Sequence, residues 1–403
     1  MELIHRETAM RQVVAALEAS RIREVANEGL GRDGVLRFWF GESDEVTPEP
    51  VRAAAIASLQ AGETFYAHNL GLPELRAALG DYTDALHPGP GGTSWAARIA
   101  VTSGGVNGLM LAVQALVDAG DEVVVVTPAW PNLEAQPRIL GARVQTLSLT
   151  VRDAAWTLDL DALRAAVTPA TRLFIVNAPS NPTGWVLTRE EQRAILDHCR
   201  ATGTWILADE VYERLYFGDP APGAPLCAPS FLDIAQPDDR VIVAHSFSKS
   251  FLMTGWRLGW LVLPPGLMDA VGKLIEFNTS CAPVFVQRGA LAALAHAAAI
   301  TPGFVARLRA GRDTLLPLLR DTPGVEVATP QGGMYAFFRL GGHADCLETA
   351  KRLVREAGLG LAPGSAFAPE ATGWLRWCFA SRDTDRLVEG AARLRGWLAS
   401  TRR

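Results

Sequence analysis

Lysine is scarce in this 403-residue chain: only Lys249, Lys273 and Lys351 appear among 38 basic residues, and arginine supplies the rest. Against that background a lysine is either one more surface cation or a place where an amine is needed, because an amine can shed its proton and attack a carbonyl while a guanidinium cannot. Uncharged apolar runs of membrane-spanning length are missing too, so no membrane partner is expected. The opening stretch MELIHRETAMRQVV is interrupted by charges every few residues and has no apolar core of signal-peptide length, which predicts a cytoplasmic protein. No basic block stands out, and 38 basic against 43 acidic residues leave a formal net charge of −5, so nucleic acid is not an expected partner. Cysteine is limited to Cys199, Cys227, Cys281, Cys346 and Cys378, an odd number without paired spacing. That pattern argues against a disulfide framework and a zinc site; packed thiols and no metal are expected.

What is present describes a globular α/β protein, with 49% hydrophobic and 20% charged residues and a length that predicts two domains. Short Val, Ile and Leu-rich runs read as strands buried on both faces: RIAVT from 98, EVVVVT from 122, RLFIVN from 172, WILAD from 205 and VIVAHS from 241. Helical patterns separate most of them; GLMLAVQALVDAG carries Leu109, Ala112, Val113, Leu116 and Val117 on one face and predicts a helix ending at Gly120. From about Ala290 the texture changes to an alanine-rich helical stretch, the strand candidates GGMYAFFRL and WLRWCFA, and a terminal helix in DRLVEGAARLRGWLAS. The helix-like segment ETAMRQVVAALEASRIREVANEGL joins this second part, with a boundary at VTPEP, and GDPAPGAPLCAPS at 218–230 reads as a surface loop. The expected division is a large domain over 48–285, with a mostly parallel sheet between helices, and a smaller α+β domain from 1–47 with 286–403.

Each strand candidate is followed by an unusual cluster: SGGVNG, PAWPNL, APSNPTG, EVYE and FSKS. Ligands of open α/β sheets bind outside the carboxyl ends of the strands, so five distant segments are predicted to meet in one crevice. TSGGVNG, between a strand and a helix, offers glycine-freed amides to an anion, although a tight turn alone also explains its glycines. HSFSKSFLMTGWRLG adds the hydroxyls of Ser246 and Ser248 and the guanidinium of Arg257, which suit a phosphate, beside the amine of Lys249. With Asp209 from another strand end, this is the set that pyridoxal phosphate requires: an amine for the Schiff base, an anion anchor, and a carboxylate for the pyridine nitrogen.

The motifs SNPTG, DEVY, SFSKSFLMTGWRLG and LRWCFA, with GESDEVTP, ETFYAHNLGLPELRAAL and APGSAF, stand in an order and spacing that resembles the class I/II aminotransferase family of fold type I, from about Phe38 to Phe379. The resemblance implies that Lys249 is the Schiff-base lysine and the acid and base at the substrate α-carbon. It implies Asp209 at the pyridine nitrogen, Tyr212 and Asn181 at the ring oxygen, and Trp130 stacked on the ring. For the phosphate it points to Gly104, Gly105, Val106, Ser246, Ser248 and Arg257, with Tyr66 reaching across from a second subunit of a homodimer. Arg376 would grip the substrate α-carboxylate, near the backbone of Gly41. Trp39 and Phe40 are bulkier than the family pattern, and Val106 stands where a polar residue is common. Those departures predict a wide apolar wall, with Trp39 in it, and an aliphatic or aromatic substrate.

The function so implied is amino transfer between an L-amino acid and a 2-oxo acid. A lyase, decarboxylase, epimerase or synthase of the same fold would use the same cofactor residues, and a half-reaction separates them. A non-catalytic sensor fused to a DNA-binding module is the third reading; the forty residues before Gly41 and the lack of a basic patch argue against it.

Overall fold

The computed structural model describes residues 10–89, 94–219 and 225–401. The first residues of the amino-terminal stretch, the centre of the 218–230 loop and the two carboxyl-terminal residues, all named above, lie outside them.

A seven-stranded sheet forms the centre, in the order Ile99–Thr102, Gly259–Val262, Val241–Ser246, Trp205–Asp209, Thr171–Asn177, Glu122–Thr127, Arg143–Ser148. The β-branched runs form strands whose alternate residues enter two different cores. Val124, Val126, Phe174, Val176 and Val243 face one core, while Val123, Val125, Leu173, Ile175 and Ile242 face the other. Both faces are therefore buried, which is why these strands lack polar alternation. The edge strand Arg143–Ser148 does alternate, and the sequence reading passes over it.

All pairings are parallel except those of Gly259–Val262, which is antiparallel to both neighbours. Two reversals cancel, so Ile99–Thr102 runs with the five parallel strands and its carboxyl end lies on the same edge as theirs. The reversed strand instead brings its first residue there: Gly259 is opposite Ser246 on one side and Thr102 on the other. This places Arg257, two residues earlier in the chain, at the edge where the other strands end.

The helix after the first strand covers Gly105–Leu116 and stops short of the expected Gly120. Val117 is buried and extended (φ −115°, ψ 124°), and Gly120 (φ +92°) serves the turn that follows. Burying a β-branched side chain in the core outweighs one more helical turn there. The amino-terminal helical stretch likewise divides into Gln12–Ala15 and Arg21–Glu28, with Ser20 capping the second through the Arg23 amide at 3.3 Å.

A second sheet, antiparallel, joins Val325–Val327, Tyr335–Leu340, Trp374–Cys378 and Ala362–Pro363 in that order. Leu36–Arg37 pairs with Leu359–Gly360, and Phe38 continues the contact by donating to the Gly360 carbonyl at 2.8 Å and accepting from the Cys378 amide at 3.1 Å. The chain at 38–41 is thereby laid against Trp374–Cys378 and led to the edge of the large sheet. Among the described residues no single helix is long and apolar enough to cross a membrane.

Candidate active site

A cavity of about 300 Å³ opens where the carboxyl ends of the central strands face the antiparallel sheet. Its floor holds Asp209, Tyr212 and Lys249, its anion end Gly105, Val106, Ser246, Ser248 and Arg257, and its walls Trp130, Asn181, Gly41 and Arg376. The crevice predicted from strand ends thus collects twelve of the residues singled out in the sequence. Gly104 lies just behind: its φ is +99°, and a Cβ there would stand 2.7 Å from an Arg257 nitrogen.

Two predicted residues lie elsewhere. Trp39 is buried with its indole turned into the core; a Cβ on Gly360 would stand 2.1 Å from its ring, and one on Gly29 2.5 Å. Only its carbonyl oxygen serves the site, accepting from Arg376, and Phe40 takes the wall position instead. Tyr66 is 89% exposed and is not part of the cavity lining.

Lys249 is half-buried on the short helix Phe247–Ser250, whose N-cap Ser246 accepts from the Ser248 amide at 3.1 Å. Its ammonium donates to the Gly41 carbonyl oxygen at 2.6 Å and lies 5.6 Å from the centre of the Tyr212 ring. Burial pushes its pKa down to about 8, with Arg376 and Arg257 adding repulsion and Cys378 and Glu42 opposing them. A sizeable fraction of this amine is therefore neutral near pH 7–8, the form a nucleophile needs.

Asp209 ends the strand Trp205–Asp209 and is buried, its carboxylate accepting one long bond from the Val211 amide at 3.4 Å. Burial raises its pKa to about 7, with Val211 and Lys249 pulling the other way. Asn177 shapes this corner, its side chain donating to the Asp209 carbonyl at 2.9 Å and accepting from the Asn181 amide at 2.7 Å. Tyr212 is held by Tyr335, their hydroxyls 2.7 Å apart. Burial and that neighbour raise the Tyr212 pKa well above its usual value, so it is a neutral phenol.

At the anion end the helix Gly105–Leu116 points its first turn into the cavity, and the first amides of a helix have no intrahelical acceptors. A Cβ on Gly105 would be 3.3 Å from that of Ser246, and one on Gly259 2.7 Å from the Gly105 nitrogen, so the cradle closes only around glycines. Arg257 adopts a left-handed conformation (φ 54°) and donates to the Thr254 carbonyl at 2.7 Å and to Ser248 Oγ at 3.4 Å.

Arg376 is buried at 2% exposure and, among the described residues, has no carboxylate partner. It donates to Asn181 Oδ1 at 2.8 Å and to the Trp39 carbonyl, while its Nε has no partner. Tyr335 and Phe367 flank the guanidinium at 4.4 and 4.8 Å. A desolvated cation in a fixed fork without a counter-ion is a site built for an anion supplied from outside.

Sequence reasoning missed Tyr335, Asn177 and Ile22 in this lining. Tyr335 had a signal, the glycines of QGGMYAFFRL, whereas Asn177 and Ile22 had none, since their part depends on which elements pack together.

The donor set fits pyridoxal phosphate on structural grounds: a buried carboxylate with one weak bond, an amine depressed toward neutrality, and a glycine cradle at a helix N-terminus. Comparison with known proteins points the same way. A family model described as aminotransferase class I and II matches residues 37–394. The chain is 32% identical over 372 residues to a probable aspartate/prephenate aminotransferase of Aquifex aeolicus, covering 90% of each. It is 33% identical over 363 residues to a valine–pyruvate aminotransferase of Mycobacterium tuberculosis, covering 89% of this chain and 90% of that one. The solved aspartate aminotransferase of Thermotoga maritima superposes with a TM-score of 0.88 at 29% identity, covering 97% of this chain and 100% of that one.

Proposed function

The chain belongs to the class I and II aminotransferases and is a pyridoxal-phosphate-dependent aminotransferase, and we propose how its own residues divide that work. Bound pyridoxal phosphate supplies an aldehyde that condenses with amines and a ring that accepts electrons from the substrate α-carbon.

Lys249 would be the covalent anchor and, once freed, the group that takes a proton from the substrate α-carbon and returns it to the carbon on the far side of the amino nitrogen. Its depressed pKa suits both directions near neutral pH. Asp209 would face the ring nitrogen and become anionic beside a cation there; Tyr212 and Asn181 would donate to the ring oxygen, and Trp130 would cover the ring. Ser246, Ser248, Arg257 and the amides at Gly104, Gly105 and Val106 would hold the phosphate. Arg376 takes the substrate α-carboxylate with the Gly41 backbone alongside, and Asn181, already bonded to Arg376 at 2.8 Å, links the two ends of the site. The observation that carries this reading is the pairing of Lys249, its pKa depressed to about 8, with a buried Arg376 that has no carboxylate partner among the described residues, within one cavity.

The same reading divides the chain into a large domain over 48–285 and a small one from 1–47 with 286–403; the pairing of Leu36–Arg37 with Leu359–Gly360 supports it. It also makes the protein a homodimer with Tyr66 contributed across the interface. Support comes from Phe65, Tyr66 and Phe277, which are 83%, 89% and 89% exposed, with Ile56 and Leu59 on the helix Glu49–Gln60 also uncovered. A cytoplasmic location is supported by five cysteines that are all free thiols.

The relatives' names cover acidic and aliphatic substrates, so the reaction type is tested with a panel of amino acids. One amino acid added without an acceptor converts an aminotransferase's cofactor to its amine form in a single turnover, read by absorbance. Steady release of ammonia with the absorbance restored would mark a lyase instead.

A further inference from the structure

We propose that this cleft selects an uncharged apolar side chain, aliphatic or aromatic, with Ile22, Phe40 and Val106 as the wall that reads it. The proposal rests on the amino-transfer reading above and adds the substrate class.

Lys249, Arg257 and Arg376 are the cations of the cavity lining among the described residues. Each has a task already. Lys249 carries the chemistry. Arg257 lies at the phosphate end, tied to Ser248 and to the Thr254 carbonyl. Arg376 is fixed by Asn181, Trp39 and two aromatic rings, and its fork serves the α-carboxylate that every amino acid has. A second carboxylate, on an aspartate-like or glutamate-like side chain, would enter the cavity with no cation left to meet it. Burying an unpaired carboxylate costs several kcal/mol, on the order of a thousandfold or more in binding.

The space left for a side chain is apolar. Ile22, from the helix Arg21–Glu28, is 8% exposed, Val106 is half-buried on the first turn of Gly105–Leu116, and Phe40, 36% exposed, lines both this cavity and a neighbouring one. Arginines do lie nearby, but outside. Arg23 sits 5.8 Å from the Phe40 ring centre and lines a neighbouring cavity with Arg37 and Arg386. Arg386 is paired with Asp44 at 2.7 Å, and Arg21 is held by Glu18 at 2.8 Å. Phe40 therefore stands as a partition between a basic exterior and an apolar interior. The segment that the dimer proposal brings in, residues 64–67, is Thr-Phe-Tyr-Ala and adds two aromatics and no charge.

The test uses the cofactor-loaded protein. Single-turnover conversion is measured with leucine, phenylalanine, aspartate and glutamate, and binding of 4-methylpentanoate, 3-phenylpropionate and succinate is measured by thermal shift. We expect leucine or phenylalanine to exceed both acidic amino acids at least tenfold in rate over affinity, and a monocarboxylate to outbind succinate by a similar factor. Val106→Lys should narrow or reverse both ratios by placing a cation on the wall. Faster conversion of aspartate or glutamate by the unaltered protein, or tighter succinate binding, overturns the proposal while leaving amino transfer intact. Should no amino acid convert the cofactor, amino transfer itself fails, and the inhibitor ratio alone then decides the character of the wall.

Discussion

The Lys249 ammonium donates to the Gly41 carbonyl oxygen at 2.6 Å, joining residues 208 positions apart. Gly41 is pressed against Tyr335, so closely that a Cβ would lie 2.0 Å from the tyrosine hydroxyl. Tyr335 in turn holds Tyr212 at 2.7 Å. The amine, the backbone beside the substrate and the ring-oxygen phenol are thus parts of one packed unit.

Replacing Lys249 by alanine or arginine should lower turnover by about 10³-fold or more with every donor, since neither side chain can shuttle a proton at neutral pH. Borohydride reduction of the coloured wild-type protein should leave the cofactor's mass on Lys249 and none on Lys273. Undiminished turnover in the alanine variant would remove the basis of the assignment.

Gly41→Ala should cost at least about tenfold in kcat/KM because the tyrosine or the 38–41 segment must move by an ångström or more. Tyr335→Phe removes the atom that the new methyl meets first. The double variant should therefore lose less than the sum of the two single losses, a coupling that a double-mutant cycle measures.

Arg376→Met should reduce kcat/KM by about 10²–10³-fold, and Arg376→Lys by less than that but still substantially, because a point charge replaces a two-pronged fork. Most of the loss should appear as a rise in KM for amino acids and in the dissociation constant of a simple carboxylate. Equal binding of that carboxylate by wild type and Arg376→Met would rule out the assigned contact.

Asp209 is held near a pKa of about 7 by burial, against an ordinary 3.8, so in the cofactor-free protein its contribution to stability is greatest below about pH 4 and is lost as pH rises through about 7. Asp209→Asn should accordingly stabilise the cofactor-free protein at pH 8, by on the order of 1 kcal/mol, and change it little at pH 4. The same variant should lower turnover and weaken retention of the cofactor. Thermal melts at the two pH values separate these effects.

Behind the site, His87 is buried between Glu213 at 3.1 Å and Asp233 at 2.9 Å. Burial alone would depress its pKa, but Cys227, Asp233 and Glu213 outweigh burial and hold it well above 6.5. Its stabilising effect is complete below about pH 6.5 and disappears only as pH climbs through that raised value. Asp233, lowered to about 2, loses its own share as pH falls from about 4 toward 2. His87→Ala should destabilise by about 3 kcal/mol near neutrality, since buried Glu213 loses its nearest cation while Asp233 keeps Arg189, and by less in strongly alkaline solution. Denaturant midpoints across pH check this.

The strands legible in the sequence were those buried on both faces, where continuous Val, Ile and Leu runs leave one reading open. The reversed strand Gly259–Val262 and the alternating edge strand Arg143–Ser148 were not, because four apolar residues and a half-polar edge carry little signal without their neighbours. The helix end at Leu116 rather than Gly120 was likewise settled by where Val117 could be buried.

For the site, the residue types and their order along the chain determined by themselves that an amine, a carboxylate, a glycine cradle and two arginines would be available, since those chemistries depend on identity and local spacing. Only tertiary structure decided which atoms meet. It turned Trp39 inward and Phe40 toward the cavity, brought Tyr335 against Gly41, and left Arg376 buried with no carboxylate partner among the described residues. The reason is that packing between distant segments, along with the desolvation it imposes, is what sets a pKa or leaves a charge unpaired, and neither is a property of any one stretch of chain.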